Sequence, residues 1–306
     1  MWRTLIVTAG EKLTVKDNWL HVYSPQQEAR VPIGDLYSVV VDNRQALLSV
    51  SVLTRLAQAG VHLLLCDEKH LPCAELLPLG LHYRPLTVLQ KQMTLPQPFK
   101  DQLWQRIVMA KIQNQAKALR LAGVGSGKAQ KLEELALRVL PGDAGNREAQ
   151  AAKLYFPALF GAGFTRTQAD VTNAALNYGY AIIRSAVSKT VAGYGYSGVL
   201  GLHHSGPGNA FNLADDLMEP LRPLVDLWTD AHCDDLYEEL TRANRRGLID
   251  LVNQAVVFDG RKMRVRYAID QYVKSLTSAI EGQDAGLLRL PVLTRADPLF
   301  EDEQDG

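Results

Sequence analysis

Through the first quarter of the chain, short apolar runs recur roughly every eight to ten residues, separated by polar, turn-forming residues. Over 1–76 the runs TLIVT, KLTVKD, WLHVYS, ARVPI and LYSVVVD are short and rich in β-branched and aromatic residues, with AGE, KDN, SPQQE and GD between them. That spacing and turn chemistry predict a small sheet or sandwich. LLSVSVLTRLAQAG then takes helical spacing and stops at Gly60, a glycine suited to the left-handed residue after a helix. VHLLLCD reads as a buried strand. The segment 77–99 holds Pro78, Pro85, Pro96 and Pro98 and reads as a linker with one short helical piece.

From Lys100 the spacing is helical almost throughout. DQLWQRIVMAKIQNQAKALRLAG closes at Gly123, and KAQKLEELALRVL stops before Pro141-Gly142. Asp143 is placed to cap a helix with Arg147 and Glu148 in its opening turns, and Asp170 to cap VTNAALNYGYAIIRSAVSKTVAGYG. A helix over 214–228 follows, with Asn212 as its expected cap, and EELTRANRRGLIDLVNQAVV and GRKMRVRYAIDQYVKSLTSAIEG supply two or three more. The expectation is an α+β protein: a β-rich domain for assembly at 1–76, a linker at 77–99, an all-helical catalytic domain at 100–288, and an acidic flexible tail at 289–306.

Composition narrows the class. With 306 residues and 47% hydrophobic content the chain can bury real cores, and it shows no transmembrane-length apolar run or signal-peptide pattern. The three cysteines, Cys66, Cys73 and Cys233, are scattered and odd in number, which points to a reducing compartment without a disulfide framework, hence the cytoplasm. Net charge is zero, but its distribution is uneven. Residues 100–189 carry thirteen Lys/Arg against six Asp/Glu, 201–240 carry nine acids and only Arg222, and 242–274 turn basic again. An acidic island between basic flanks suits a metal site acting on a phosphate backbone, because cations hold the polyanion while carboxylates hold the ion. Ordinary patchiness of helical surfaces produces the same pattern.

The chemistry concentrates in 202–226, LHHSGPGNAFNLADDLMEPLRPLVD. His203 and His204 precede a loop of small residues, and Asp215, Asp216 and Glu219 follow at a helix start. An imidazole folded back onto these carboxylates would give a mixed nitrogen and oxygen set, which favours Mg²⁺ or Mn²⁺ over a thiolate-bound zinc. The plainer reading is a solvated histidine pair and a capping acid pair. Glu148, among Ala149, Ala151 and Ala152, would need a partner if desolvated: a metal, or an arginine such as Arg147 or Arg184.

Four ordered motifs carry a resemblance: E-A-x-x-A-K-x-Y-F from Glu148, N-A-x-L-N-Y-G-Y-A from Asn173, L-G-x-H-H ending at His204, and D-L-M-E-P-x-R-P-L-V-D from Asp216. Together they resemble the CRISPR-associated spacer-integration nuclease, the universal adaptation subunit of this antiviral defence, most closely its type II version. The resemblance implies a metal triad of Glu148, His204 and Glu219, with His204 fifteen residues before Glu219, His203 one position off, and Asp216 behind them. It implies a Mg²⁺- or Mn²⁺-dependent DNA endonuclease and integrase that joins the 3′-OH ends of a short duplex to the CRISPR repeat by transesterification. Its partners would be double-stranded DNA (prespacer and repeat), a second copy in a homodimer, and the small second adaptation subunit, with no membrane involved. Lys153, Arg166, Arg184, Lys189 and Arg222 are the expected DNA-binding cations. Tyr155 and Tyr178 could stack on an unpaired base or belong to the core. The competing readings are a nuclease acting on RNA or branched DNA without integration, and a non-catalytic DNA-binding scaffold whose acids only form ion pairs.

Overall fold

The computed structural model describes residues 3–9, 11–24, 28–78 and 80–295. The chain divides into two compact units, Met1–Tyr83 and Arg84–Gly306. The division falls within the segment read as a linker.

The first unit contains β1 (Arg3–Val7), β2 (Lys12–Lys16), β3 (Trp19–Tyr23), β4 (Glu28–Pro32), β5 (Leu36–Val41), β6 (Leu47–Leu48), α1 (Val50–Gln58), β7 (His62–Cys66) and β8 (Pro72–Leu76). These form two four-stranded sheets, ordered β4-β3-β2-β6 and β1-β5-β7-β8. In the first sheet, β2 and β3 join through Asp17 and Asn18, both at positive φ, the turn chemistry that matches strand twist. In the second, β5 lies parallel to β1 and β7, and α1 makes the crossover to β7. Leu13 and Leu20 of one sheet, Leu36, Val39 and Leu63 of the other, and Val52 and Leu56 of α1 share one core. Each such side chain contributes about 1.5–3 kcal/mol by leaving water.

The second unit contains α2 (Pro85–Met93), α3 (Gln97–Leu121), α4 (Ser126–Ala136), α5 (Arg147–Leu159), α6 (Val171–Gly193), α7 (Asn212–Met218), α8 (Arg222–Ala231), α9 (Arg242–Asp250), β9 (Ala255–Phe258), β10 (Arg261–Arg264), α10 (Val265–Gly282) and β11 (Val292–Leu293). The 25-residue α3 buries Leu103, Trp104, Ile107, Val108, Ile112 and Leu119 and packs against α4, α5, α7, α8 and β11. Gly179 lets α6 approach α8, since a Cβ there would stand 2.4 Å from Val225 Cγ1.

Three expectations change. The helical part is not helical throughout: β9, β10 and β11 form a small antiparallel sheet. The β9–β10 hairpin turns on Asp259-Gly260, both at positive φ, so Ala255–Phe258 and Arg261–Arg264 are strands, and AVV and RKMR lie in segments where helix was expected. The helix read over 214–228 is interrupted by a 3₁₀ turn at Glu219–Leu221, because Pro220 and Pro223 cannot donate to a continuous helix. The stretch expected as a flexible tail includes a strand, since Val292 and Leu293 pair with β9. Its acidic end lies outside the described residues.

Candidate active site

The site is assembled on one face of α3. Trp104 and Lys111 are seven residues apart, two helical turns, so their side chains point the same way about 10 Å apart along the axis. Trp104 is buried and stacks on His203, ring centroids 4.4 Å apart and 2° from parallel, and meets His204 edge-on at 5.7 Å. Lys111 reaches two glutamates. Its Nζ lies 2.6 Å from Glu148 Oε1 and in direct contact with Glu219 Oε2. One turn further, buried Asn114 donates to the backbone oxygens of Pro220 (2.7 Å) and Pro291 (3.0 Å), which ties the Glu219 turn to α3.

Glu148 is fixed from behind. The Asp143 carboxylate accepts the N–H groups of Arg147 (2.8 Å) and Glu148 (3.0 Å), so it caps the start of α5 as expected, from three residues before the formal cap Asn146. Asp143 and Asn146 both adopt positive φ, which the short polar side chains tolerate. Glu219 is 3% exposed and meets a second cation, Arg222, whose Nε donates to its Oε1 at 2.7 Å. Burial pushes the Glu219 carboxyl up, yet Lys111 and Arg222 outweigh it and leave the pKa below the ordinary value. Burial pulls Lys111 down, and Glu219 and Glu148 more than reverse that, so the ammonium holds its proton more firmly than a free lysine. Arg222 stacks over the Tyr180 ring at 4.7 Å, and Tyr180 donates its hydroxyl to the buried Asp226.

The histidine loop closes on one carboxylate. Asp216, 0% exposed, accepts the backbone N–H of Leu202 (2.6 Å), His203 (3.0 Å) and His204 (3.0 Å). His204 Nδ1 lies 2.7 Å from Asp216 Oδ1, and that hydrogen bond raises the imidazole pKa against the lowering effect of burial, with Glu219 raising it further. Asn212 is the first residue of α7 and does not cap it: its side chain donates to Val199 O and Gly206 O and accepts from Gly206 N, which folds the SGPGN loop.

The family described as "CRISPR associated protein Cas1" matches residues 4–229. The chain is 41% identical over 296 residues, 95% of its length and 96% of the relative's, to "CRISPR-associated endonuclease Cas1" of Neisseria meningitidis serogroup C. The chain belongs to the Cas1 family. It is also 24% identical, across 91% of its length and 94% of the relative's, to the Cas1 endonuclease of Korarchaeum cryptofilum. Among solved structures, the fold matches Cas1 of Thermotoga maritima (TM-score 0.74, 14% identity, 92% of this chain and 97% of that one). It matches equally a casposase bound to an integration product (TM-score 0.74, 17% identity, 99% and 94%). The α+β architecture is therefore that of Cas1, a strand-rich unit followed by a mainly helical one.

Of the Cas1 residues expected to form a triad, Glu148 and Glu219 meet at Lys111, whereas His204 is held by Asp216. Among the described residues no three His, Cys, Asp or Glu side chains are gathered closely enough to hold an ion. The partner of Glu148 is Lys111 and not the arginines considered from sequence: Arg147 donates to Gln150, and Arg184 lies over the Phe211 ring, 4.0 Å from Asp215. Tyr155 and Tyr178 are both 0% exposed, so they are core residues and cannot stack on a base. Among the expected DNA-binding cations, Lys153 is exposed on α5. Arg166 bonds Asn173 and Asn177, Lys189 is pulled down to about 8 by burial, and Arg222 is committed to Glu219.

The motifs do not point to Lys111 or Trp104. Trp104, Val108, Lys111, Gln115 and Ala118 lie on one side of α3, and all except Lys111 are fully buried. A lysine on a buried helical stripe signals an acidic partner, and that was the available clue.

Proposed function

We propose that this Cas1 protein is the Mg²⁺- or Mn²⁺-dependent endonuclease and integrase of CRISPR adaptation, joining the 3′-OH ends of a short DNA duplex to the CRISPR repeat by transesterification. The observation that carries the reading is that Glu148 and Glu219, from separate elements, converge on a single cationic point, the Lys111 ammonium. Two ionised carboxylates that share a monovalent cation also offer hard oxygen donors of the type a divalent ion requires. The His204–Asp216 pair supports it as well. An imidazole whose Nδ1 is engaged by a buried carboxylate is oriented to offer Nε2, the usual arrangement of a ligating histidine. Two carboxylates and an imidazole are donor types that Mg²⁺ or Mn²⁺ accepts, and Glu148, Glu219 and His204 would hold the ion by drawing together from the ion pairs they make here.

An ion bound there would polarise the scissile phosphate and favour deprotonation of the attacking 3′-hydroxyl. The protein's own groups do the rest. Asp143 and Asn114 hold the two glutamates in register, Asp216 orients His204, and Trp104 props both histidine rings. Lys153 and the other basic residues of 100–189 attract the phosphate backbone, so DNA affinity falls as salt rises. A solved casposase carries an integration product, and a solved assembly pairs Cas1 with Cas2. By the same reading this chain takes duplex DNA, a second copy of itself and a small Cas2-type subunit, in the cytoplasm. Among the described residues no helix is long and apolar enough to cross a membrane.

One observation favours the ion-pair scaffold: Lys111 pairs with a carboxylate oxygen of each glutamate. A strand-transfer assay on a supercoiled repeat plasmid separates the readings. Glu148→Ala, His204→Ala and Glu219→Ala should each abolish metal-dependent cleavage and joining while DNA binding persists. Full activity of His204→Ala removes the histidine from the site. Unfolding of all three variants supports the scaffold, and nicking without joining supports a nuclease that does not integrate.

A further inference from the structure

Charge at the site closes on itself. Glu148 and Glu219 supply two negative charges, and Lys111 and Arg222 supply two positive ones within contact. Adding a divalent cation to that balanced set leaves two side-chain cations in excess, in surroundings where the Glu219 side chain is 4% and the Lys111 side chain 12% exposed. Excess buried charge is costly unless it meets a counter-ion. The two cations differ in freedom. Arg222 is wedged between Glu219 and the face of Tyr180. Lys111 is a point charge on a four-carbon stem. It faces Glu148, whose side chain is 30% exposed and forms the open side of the cluster.

We propose that Lys111 is an internal counter-cation that occupies the ion's place between Glu148 and Glu219, gives way when the site takes a divalent ion, and then pairs with the phosphodiester of bound DNA. Lys111 thereby makes ion and DNA bind with positive coupling. Without DNA its ammonium competes with the ion for both carboxylates. With DNA present the displaced ammonium has an anion to meet, so the competition is relieved. By linkage the ion strengthens DNA binding by the same factor as DNA strengthens ion binding. Lys111 contacts the DNA phosphate itself in this account, and the account rests on Glu148 and Glu219 as ion-holding groups.

The test is Mn²⁺ affinity, followed by electron paramagnetic resonance with and without a short duplex, in the wild type, Lys111→Met and Lys111→Arg. The duplex should tighten Mn²⁺ binding by the wild type about tenfold, within the span usual for coupled sites. Lys111→Met should bind Mn²⁺ about tenfold more tightly than wild type in the absence of DNA and gain little from it, while Lys111→Arg keeps the wild-type pattern. If Lys111→Met binds Mn²⁺ no more tightly, or keeps the full DNA effect, the proposal is overturned. Glu148→Gln and Glu219→Gln are run alongside. If neither weakens Mn²⁺ binding, the ion site itself is misassigned, which is a different failure. Acylation of Lys111 in the wild-type protein, read by mass spectrometry, covers the case in which the methionine variant does not fold. Labelling should rise several-fold when Mg²⁺ is added, and unchanged labelling refutes displacement.

Discussion

The Asp216 carboxylate accepts the backbone N–H of His204 at 3.0 Å and stands 2.7 Å from Nδ1 of the same residue. One side chain thus sets both the path of the loop and the rotation of the imidazole. Asp216→Asn keeps the shape but turns an amide donor toward backbone N–H donors. The expected outcome is a tenfold to hundredfold loss of Mn²⁺ affinity, the range for removing the group that orients a ligand, together with a lower melting temperature. Isothermal titration and thermal unfolding read the two effects separately. An Asp216→Asn protein with wild-type Mn²⁺ affinity would show that His204 does not depend on Asp216.

The same loop allows no side chain at Gly201. A Cβ there would stand 2.2 Å from the carbonyl oxygen of His204 and 2.7 Å from Asp216 Oδ2. The first neighbour is backbone, so it cannot swing aside. Gly201→Ala should displace the histidines and lower both stability and strand transfer, with the β-rich unit unaffected. Hydrogen exchange would show faster exchange of the Leu202, His203 and His204 amides in the variant. Unchanged exchange there would mean the loop has room the structure does not give it.

Asp143 tests the other half of the site. Its two oxygens hold the first N–H groups of α5, where Glu148 sits. Asp143→Ala should cost about 1 kcal/mol, as loss of a helix cap usually does, and should weaken Mn²⁺ binding by loosening Glu148. Asp143→Asn should recover only part of both, because its amide oxygen replaces one of the two accepting oxygens while its NH2 faces the other N–H. Urea unfolding gives the first quantity and ion titration the second.

Much of this was legible because local chemistry and tertiary packing agree. β1 to β5 follow the short β-branched and aromatic runs and β7 the buried apolar run, Gly60 takes the left-handed conformation after α1, and Asp170 caps α6 by accepting from Asn173 N. The β9–β10 hairpin lies where the spacing predicts helix, although Asp259-Gly260 is a strong turn signal. The basic RKMR segment runs straight into a true helix, and its helical spacing masked the strand. Glu148, His204 and Glu219 stood out through ordered motifs. Lys111 did not, because its meaning depends on what α3 packs against: nothing in AKIQN states that two glutamates, 37 and 108 residues later, will close on it. Asn212 was legible as a cap and serves as a loop brace, since the backbone groups of Gly206 and Val199 compete for its amide.

Asp226 makes the folded protein less stable as pH rises. It is buried beneath the site, accepts the Tyr180 hydroxyl, and burial raises its carboxyl from 3.8 to about 6. The folded protein therefore holds this proton over a range in which the unfolded chain has released it. Stability from that difference is full below about 3.8 and is lost as pH rises through about 6. The loss amounts to about 3 kcal/mol at neutral pH, at 1.36 kcal/mol for each pKa unit. Asp226→Asn keeps an oxygen for Tyr180 and has nothing to ionise. Compared by urea unfolding from pH 4 to pH 7.5, the wild type should lose ground steadily to the variant, and the difference should level off above about pH 7. A difference independent of pH would mean that Asp226 titrates at an ordinary value and that Tyr180 and its surroundings do not desolvate it.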